Sequence, residues 1–233
     1  MTPLYLDNHL LVVSKPPGML AQGDITGDTD VVTWAKAFLK ERFDKPGNVF
    51  VGLVHRLDRP TSGVLALART SKAAGRLSEQ FRQRTPQKRY LAVVTGRLPD
   101  AGEAVDGLDD SGTSVRVVPE GRGKRAVLRW RTLARADGRA LVEVTLETGR
   151  KHQIRAQLAA RGAPVVGDLR YGDGPPFADG RGIALHGWSL AIDHPTRREG
   201  MTFTAPPPDA WRGLFDREIA GLVASAPAMP QMG

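Results

Sequence analysis

The sequence predicts a mixed α/β or α+β protein, and three observations carry that prediction. Short β-rich apolar runs alternate with segments whose apolar residues recur at helical spacing. Two of the β runs flank an Asp-Gly pair, the signature of a tight hairpin and so of antiparallel pairing. No internal repeat and no Pro/Gly/Ser linker divides the 233 residues, a length that suits one folded unit.

Taken in order, Leu10 to Lys15 reads as a strand that Pro16-Pro17-Gly18 stops with a turn. Val31 to Phe43 spaces Val31, Trp34, Ala35, Phe38 and Leu39 so as to lay an apolar stripe on a sheet. Val49 to Val54 and Val64 to Ala68 read as buried strands, and Ser71 to Arg84 as a helix with Ala74, Leu77 and Phe81 inward. Tyr90 to Thr95, Ala126 to Leu133 and Ala140 to Leu146 are β-rich, the last two joined at Asp137-Gly138. Lys151 to Ala160 is a helix with Thr148 as N-cap. Gly182 to Ile192 and Met201 to Thr204 are late strands, Asp209 to Val223 a terminal helix, and Ser225 to Gly233 a flexible tail. The polar, glycine-containing stretches Asp106 to Lys124 and Asp173 to Arg181 read as surface loops.

Composition narrows the chemistry. No run approaches the roughly 18 apolar residues of a membrane span, and no basic region leads into a long apolar stretch at the N-terminus. The absence of cysteine removes disulfides, thiol nucleophiles and cysteine-built metal sites, and a reducing cytoplasm is the expected compartment. The five histidines are scattered without ligand spacing, so no metal is expected. The net charge of +8 is concentrated: residues 51–100 carry ten basic and three acidic side chains, which can focus a field on a polyanion.

Within that block lies the most informative segment, His55-Arg56-Leu57-Asp58-Arg59-Pro60-Thr61-Ser62-Gly63. Reactive groups crowded between two apolar strand-like runs are how a loop on a rigid scaffold presents chemistry. Arg56 and Arg59 flank Asp58 with positive charge, favouring a carboxylate able to act as nucleophile or base on a polyanionic substrate. The plainer alternative is an ion pair that holds the loop. A second cluster, Gly149-Arg150-Lys151-His152-Gln153-Ile154-Arg155, places Lys151 and Arg155 four apart on one helix face, to grip an anion or simply to be solvated. The third, Gln87-Lys88-Arg89-Tyr90, sets cations beside an aromatic ring, as a base-stacking surface does; a strand-start tyrosine also serves as core. No nucleophile elbow, P-loop or dinucleotide-binding glycine motif is present, and no nucleotide cofactor is expected.

With Ser14-Lys15-Pro16-Pro17-Gly18 and Gly167-Asp168-Leu169-Arg170-Tyr171-Gly172, these clusters resemble, in order, the motifs of the RluA family of RNA pseudouridine synthases, over roughly residues 4–206. Lys151 stands where many members carry threonine. The resemblance implies an isomerase that breaks the N1–C1′ bond of uridine, turns the base and rejoins it through C5, without cofactor. Asp58 matches the catalytic aspartate, Tyr90 a tyrosine that stacks on the base and is implicated in removing the C5 proton, and Arg155 the cation paired with the aspartate. Ile154 matches an apolar residue beside the uracil, and Arg56 an arginine that fills the space of the flipped nucleotide. His55, Arg59, Thr61, Lys88, Arg89 and Lys151 complete the expected substrate and RNA contacts. A reacting base must leave the stack, and the protein has to replace what the stack supplied.

The resemblance further implies an α+β fold: a mixed, largely antiparallel sheet flanked by helices around a basic cleft. Residues 1–224 are expected to form a stand-alone catalytic domain without the S4 RNA-binding domain that many members carry, followed by the tail at 225–233. The partner is tRNA or rRNA, with Arg59-Pro60 and the Lys88 cluster leaning toward tRNA, and the protein is expected to be a monomer without membrane attachment. The rival is an RNA-binding protein that keeps the fold without catalysis. A glycoside hydrolase is weaker, since no second acid shares the Asp58 motif.

Overall fold

The computed structural model describes residues 1–25 and 27–231. Its strands are β1 (Thr2–Leu6), β2 (Leu10–Lys15), β3 (Gly52–Leu53), β4 (Ser62–Ala68), β5 (Gln87–Thr95), β6 (Ala101–Asp109), β7 (Arg116–Val118), β8 (Lys124–Ala136), β9 (Arg139–Leu146), β10 (Leu185–Asp193) and β11 (Gly200–Thr204). Helices α1 (Val31–Arg42), α2 (Ser71–Gln83), α3 (Gln153–Ala159) and α4 (Asp216–Ala224) pack around them. One sheet runs β1-β2-β4-β10-β5-β9-β8-β6-β7, with β11 on β10 and β3 on β4. Every pairing is antiparallel except β4 with β10, so the α+β expectation and the largely antiparallel sheet hold.

Both faces of β2 and β4 are covered, which explains their unbroken apolar runs. Leu10, Val12, Val64 and Ala66 join Ala73 and Leu77 of α2, while Leu11, Val13, Leu65 and Leu67 meet Val31, Ala35 and Leu39 of α1. Asp30 caps α1 by accepting from the Val32 and Thr33 amides, and Thr70 caps α2 by accepting from that of Ala73. A separate core joins β5, β8, β9 and β10 to α3 through Leu91, Val93, Leu128, Val142, Ile154 and Leu158.

The Asp137-Gly138 hairpin is present, both residues having positive φ, +51° and +71°. Elsewhere the structure corrects the sequence expectations. The Val49–Val54 strand shrinks to β3, two residues long. β1 was not foreseen; it is an edge strand, where Pro3 is tolerated. Asp106–Lys124 is not a loop throughout, because β6 and β7 occupy part of it; their few apolar residues hide the strand period. The terminal helix is broken into a 3-10 turn, Asp209–Trp211, and α4, since Gly213 and Phe215 take φ of +85° and +56°. The tail expected at 225–233 folds back as far as it is described: Ala226 packs on the core of β5 and α3, and the Thr204 amide donates to Met229 Sδ at 3.5 Å. Met232 and Gly233 lie outside the described residues. Among the described residues no helix is long and apolar enough to cross a membrane.

The lone parallel pairing sets the position of the Asp58 loop. Gly63 pairs with Gly187, and a Cβ on Gly63 would fall 2.4 Å from the Gly187 backbone; its φ of +129° also excludes ordinary side chains. Leu57 and Tyr90 both lie close over Gly187.

Candidate active site

The turn Asp58-Arg59-Pro60-Thr61 is closed by the Thr61 amide donating to the Asp58 carbonyl at 3.0 Å. Backbone bonds hold it from two sides, the Gly18 amide to the Arg59 carbonyl (2.9 Å) and the Ile183 amide to the Pro60 carbonyl (3.2 Å). Beneath it Lys15, fully buried at the end of β2, donates from Nζ to the carbonyls of Pro16, Met19 and Arg59 at 3.0, 2.7 and 3.1 Å. Burial lowers the Lys15 ammonium to about 7, against the pull of the Asp58 charge. Lys15 was visible in the sequence only as part of a motif; its structural role needed the fold.

The second element is the start of α3. Thr148 does not cap it: His152 occupies that position with no side-chain cap bond. Thr148 Oγ1 instead accepts from the Val127 amide (2.8 Å) and donates to Gln153 Oε1 (2.8 Å), while Gln153 Nε2 donates to the Val127 carbonyl (3.0 Å). This knot ties the segment to β8, leaving Lys151 exposed before the helix and Arg155 buried within it. The two cations therefore do not share a helical face, as the spacing had suggested.

Arg155 joins the two elements. Its Nη1 donates to Asp58 Oδ2 at 3.2 Å, across 97 residues of sequence. Its two-bond grip, however, is on Asp168, with Nε to Oδ2 at 2.6 Å and Nη2 to Oδ1 at 2.9 Å. Side-chain exposure is 6% for Arg155, 1% for Asp168 and 26% for Asp58, so Asp168 anchors the guanidinium and Asp58 faces the opening. Although burial disfavours the charged guanidinium, Asp168 and Asp58 together raise the Arg155 pKa. Asp168 is a site residue that sequence reasoning missed; its motif, 167–172, was the available signal.

These groups border a cleft of about 480 Å³. Its lining includes Asp58, Thr61, Tyr90, His152, Ile154 and Arg155, and seven Lys/Arg side chains (Arg56, Arg82, Arg84, Lys88, Arg150, Lys151, Arg155) against the single acid Asp58. Tyr90 lies on β5 across from Asp58; burial first, then the Asp58 charge, pushes its phenol up, so the resting site presents a neutral ring. Burial, then the neighbouring Arg84, lowers Lys88. Thr61 is 2% exposed and its Oγ1 has no hydrogen-bond partner among the described residues. Among the described residues no cluster of His, Asp and Glu is placed to hold a metal ion.

Two expected RNA contacts lie outside this lining. Arg59 pairs with Asp28 at 2.6 Å and donates to the Gly18 carbonyl at 3.1 Å, clamping two loops together. Arg89 alternates away from Lys88 and Tyr90 along β5 and sits 3.8 Å from Glu143. His55 borders the cleft but its Nε2 accepts from the Ala66 amide at 2.9 Å and its ring stacks on Phe81, which makes it a support of β4.

A family model described as RNA pseudouridylate synthase matches residues 9–160. The chain belongs to the RNA pseudouridylate synthase family. It is accordingly an isomerase acting on uridine in RNA. The synthase is 36% identical over 207 residues to the dual-specificity RNA pseudouridine synthase RluA of Haemophilus influenzae, covering 87% of this chain and 91% of that protein. It is also 36% identical over 228 residues to ribosomal large subunit pseudouridine synthase D of Xanthomonas campestris pv. campestris, covering 91% of this chain and 67% of that protein. Its fold matches that of human RNA Pseudouridylate Synthase Domain Containing 4 with a TM-score of 0.76 at 23% identity, over 95% of this chain and 92% of that one.

Two histidines of the synthase, the half-buried His55 and the buried His186, make its stability depend on pH. His55 accepts a backbone N–H, and burial, then Lys88, lowers it to about 3. His186 accepts from the Ser62 hydroxyl (2.8 Å) and donates to the Ala205 carbonyl (2.9 Å); burial lowers it to about 4. Both bind a proton more readily unfolded, near 6.5. Stability should therefore fall as pH drops from about 6.5 toward 4, by up to about 1.4 kcal/mol per pH unit for each histidine. Thermal melts from pH 7.5 to 4.5 check this: His55→Gln and His186→Gln should each flatten the slope, and unchanged slopes would refute it.

Proposed function

We propose that the synthase modifies a uridine flipped from structured RNA, tRNA or rRNA, into the cleft between the Asp58 turn and α3. Asp58 acts at the sugar and Arg155 orients it. Tyr90 stacks on the uracil, with Ile154 against its edge. Arg56, exposed at the rim, fills the gap left in the RNA stack. The N1–C1′ bond breaks, C5 bonds to C1′, C5 loses a proton and N1 gains one, so the reaction is balanced without oxidant or cofactor. The observation that carries this assignment is the 3.2 Å bond between Arg155 and Asp58, in a cleft that also contains Tyr90. Residues 1–224 are proposed as the catalytic unit.

The test is a comparison of cellular RNA with and without the gene, pseudouridines being mapped by carbodiimide-based sequencing. Loss of specific sites, restored in vitro by the purified protein, is expected. Identical maps and no product in vitro would overturn the proposal.

The charge of the lining sets a further expectation. Logarithmic affinity for RNA should fall with logarithmic salt, each phosphate contact adding about 0.7–0.9 to the slope. Lys88→Gln or Arg84→Gln should flatten that slope by about one contact. Arg59→Gln and Arg89→Gln should leave it nearly unchanged, because their partners are Asp28 and Glu143. Salt-independent binding would contradict an electrostatic cleft.

A further inference from the structure

One side chain at the cleft is used by none of these roles. His152 sits at φ +51°, a conformation that a non-glycine residue holds only where its surroundings impose it. Its Nδ1 lies 2.8 Å from the Tyr171 hydroxyl, whose ring meets it edge-on at 5.7 Å. The Tyr171 oxygen already accepts from the Val115 amide at 2.9 Å, so its proton is available to Nδ1. The other ring nitrogen, Nε2, is 3.9 Å from Asp58 Oδ2. A lone pair aimed at a carboxylate is repelled and an N–H attracted. Both ends of the ring thus favour the tautomer with its proton on Nε2.

At 3.9 Å these two atoms are too far apart for a hydrogen bond with each other. They are suitably spaced for a third. An oxygen about 2.8 Å from each would donate to Asp58 and accept from His152. A hydroxyl on the substrate does both at once. Inside an RNA chain the 3′ and 5′ oxygens are esterified, leaving the 2′-hydroxyl as the only one on the sugar. It stands on the carbon next to C1′, where the glycosidic bond breaks.

We propose that His152 and Asp58 cradle the 2′-hydroxyl of the target nucleotide, and that His152 is the residue through which the synthase distinguishes ribose from deoxyribose at the reacting position. This rests on Asp58 acting at the sugar. The charges around the ring agree with a neutral donor: burial, then Arg155, Lys151 and Arg170, outweigh Asp58 and hold His152 below its ordinary value.

The experiment uses a synthetic RNA stem-loop carrying the uridine identified by mapping, and the same RNA with 2′-deoxyuridine at that one position. The affinity of the deoxy RNA is read as an inhibitor of the ribo substrate, so it is measurable whether or not the deoxy RNA reacts. Wild type should bind the ribo RNA roughly 3- to 10-fold more tightly, one hydrogen bond's worth. His152→Asn, which tolerates the same backbone conformation, should weaken ribo binding and bring the ratio near one. His152→Gln, whose amide reaches toward the Nε2 position, should restore part of it. Melting curves verify that both variants are folded. A wild-type ratio of one, or a ratio unchanged in His152→Asn, overturns the cradle. Absence of wild-type turnover on the ribo RNA would instead strike at the function proposed above.

Discussion

Asp58→Asn is expected to lower turnover by about 10⁴-fold or more while leaving folding and RNA affinity close to wild type. The asparagine keeps the shape and an oxygen that can accept from Arg155 Nη1, and Arg155 stays neutralised by its two bonds to Asp168. Asp58 is the least buried of the three, so removing its charge leaves no stranded ion. What is lost is the only carboxylate that the described residues contribute to the cleft lining. Single-turnover kinetics with the mapped RNA, beside a melting curve and a binding isotherm, measure the separation. A variant retaining a tenth of wild-type activity would remove Asp58 from its role.

Arg155→Ala should fail in a different manner, losing stability as well as activity. It leaves Asp168 buried and unpaired, and removing one partner from a buried ion pair costs about 3–5 kcal/mol. For a chain of this length that is a fall in Tm of roughly 6–20 °C. Arg155→Lys should recover part of both losses, since an ammonium keeps the charge without the planar fork. The decisive variant is the double replacement Arg155→Met with Asp168→Leu. It removes both buried charges, so stability should return toward wild type while activity stays lost, because nothing then holds Asp58. Recovery of activity together with stability would mean that Arg155 matters to the fold alone.

Much of this site was legible in the residue order, and the reason is chemical. The segment 55–63 sets its polar groups between apolar strands, and its meaning survives without coordinates. The Gly149–Arg155 segment was identified too, but as a basic helical face, and that geometry was wrong. A 3.6-residue period assumes that the helix has already begun at Lys151. In fact His152 breaks the backbone with a positive φ and Gln153 binds the preceding loop, so Lys151 points outward while Arg155 turns in.

By itself the sequence determined the central strands and helices α1 and α2, the hairpin at Asp137-Gly138, the concentration of positive charge at 51–100, and the family to which the chain belongs. These are properties of neighbours along the chain: side-chain period, turn chemistry and local charge. The tertiary structure alone decided which groups meet. Asp168 as the anchor of Arg155, Lys15 beneath the Asp58 turn, and His152 beside the carboxylate are separated in sequence by 13, 44 and 94 residues from the groups they serve, Arg155, Arg59 and Asp58. Tertiary structure likewise decided that Arg59 and Arg89, beside Asp28 and Glu143, fall outside the lining that takes in Lys88. Pairing across the sheet, through the close approach of Gly63 and Gly187, brings those segments together, and no local pattern encodes it.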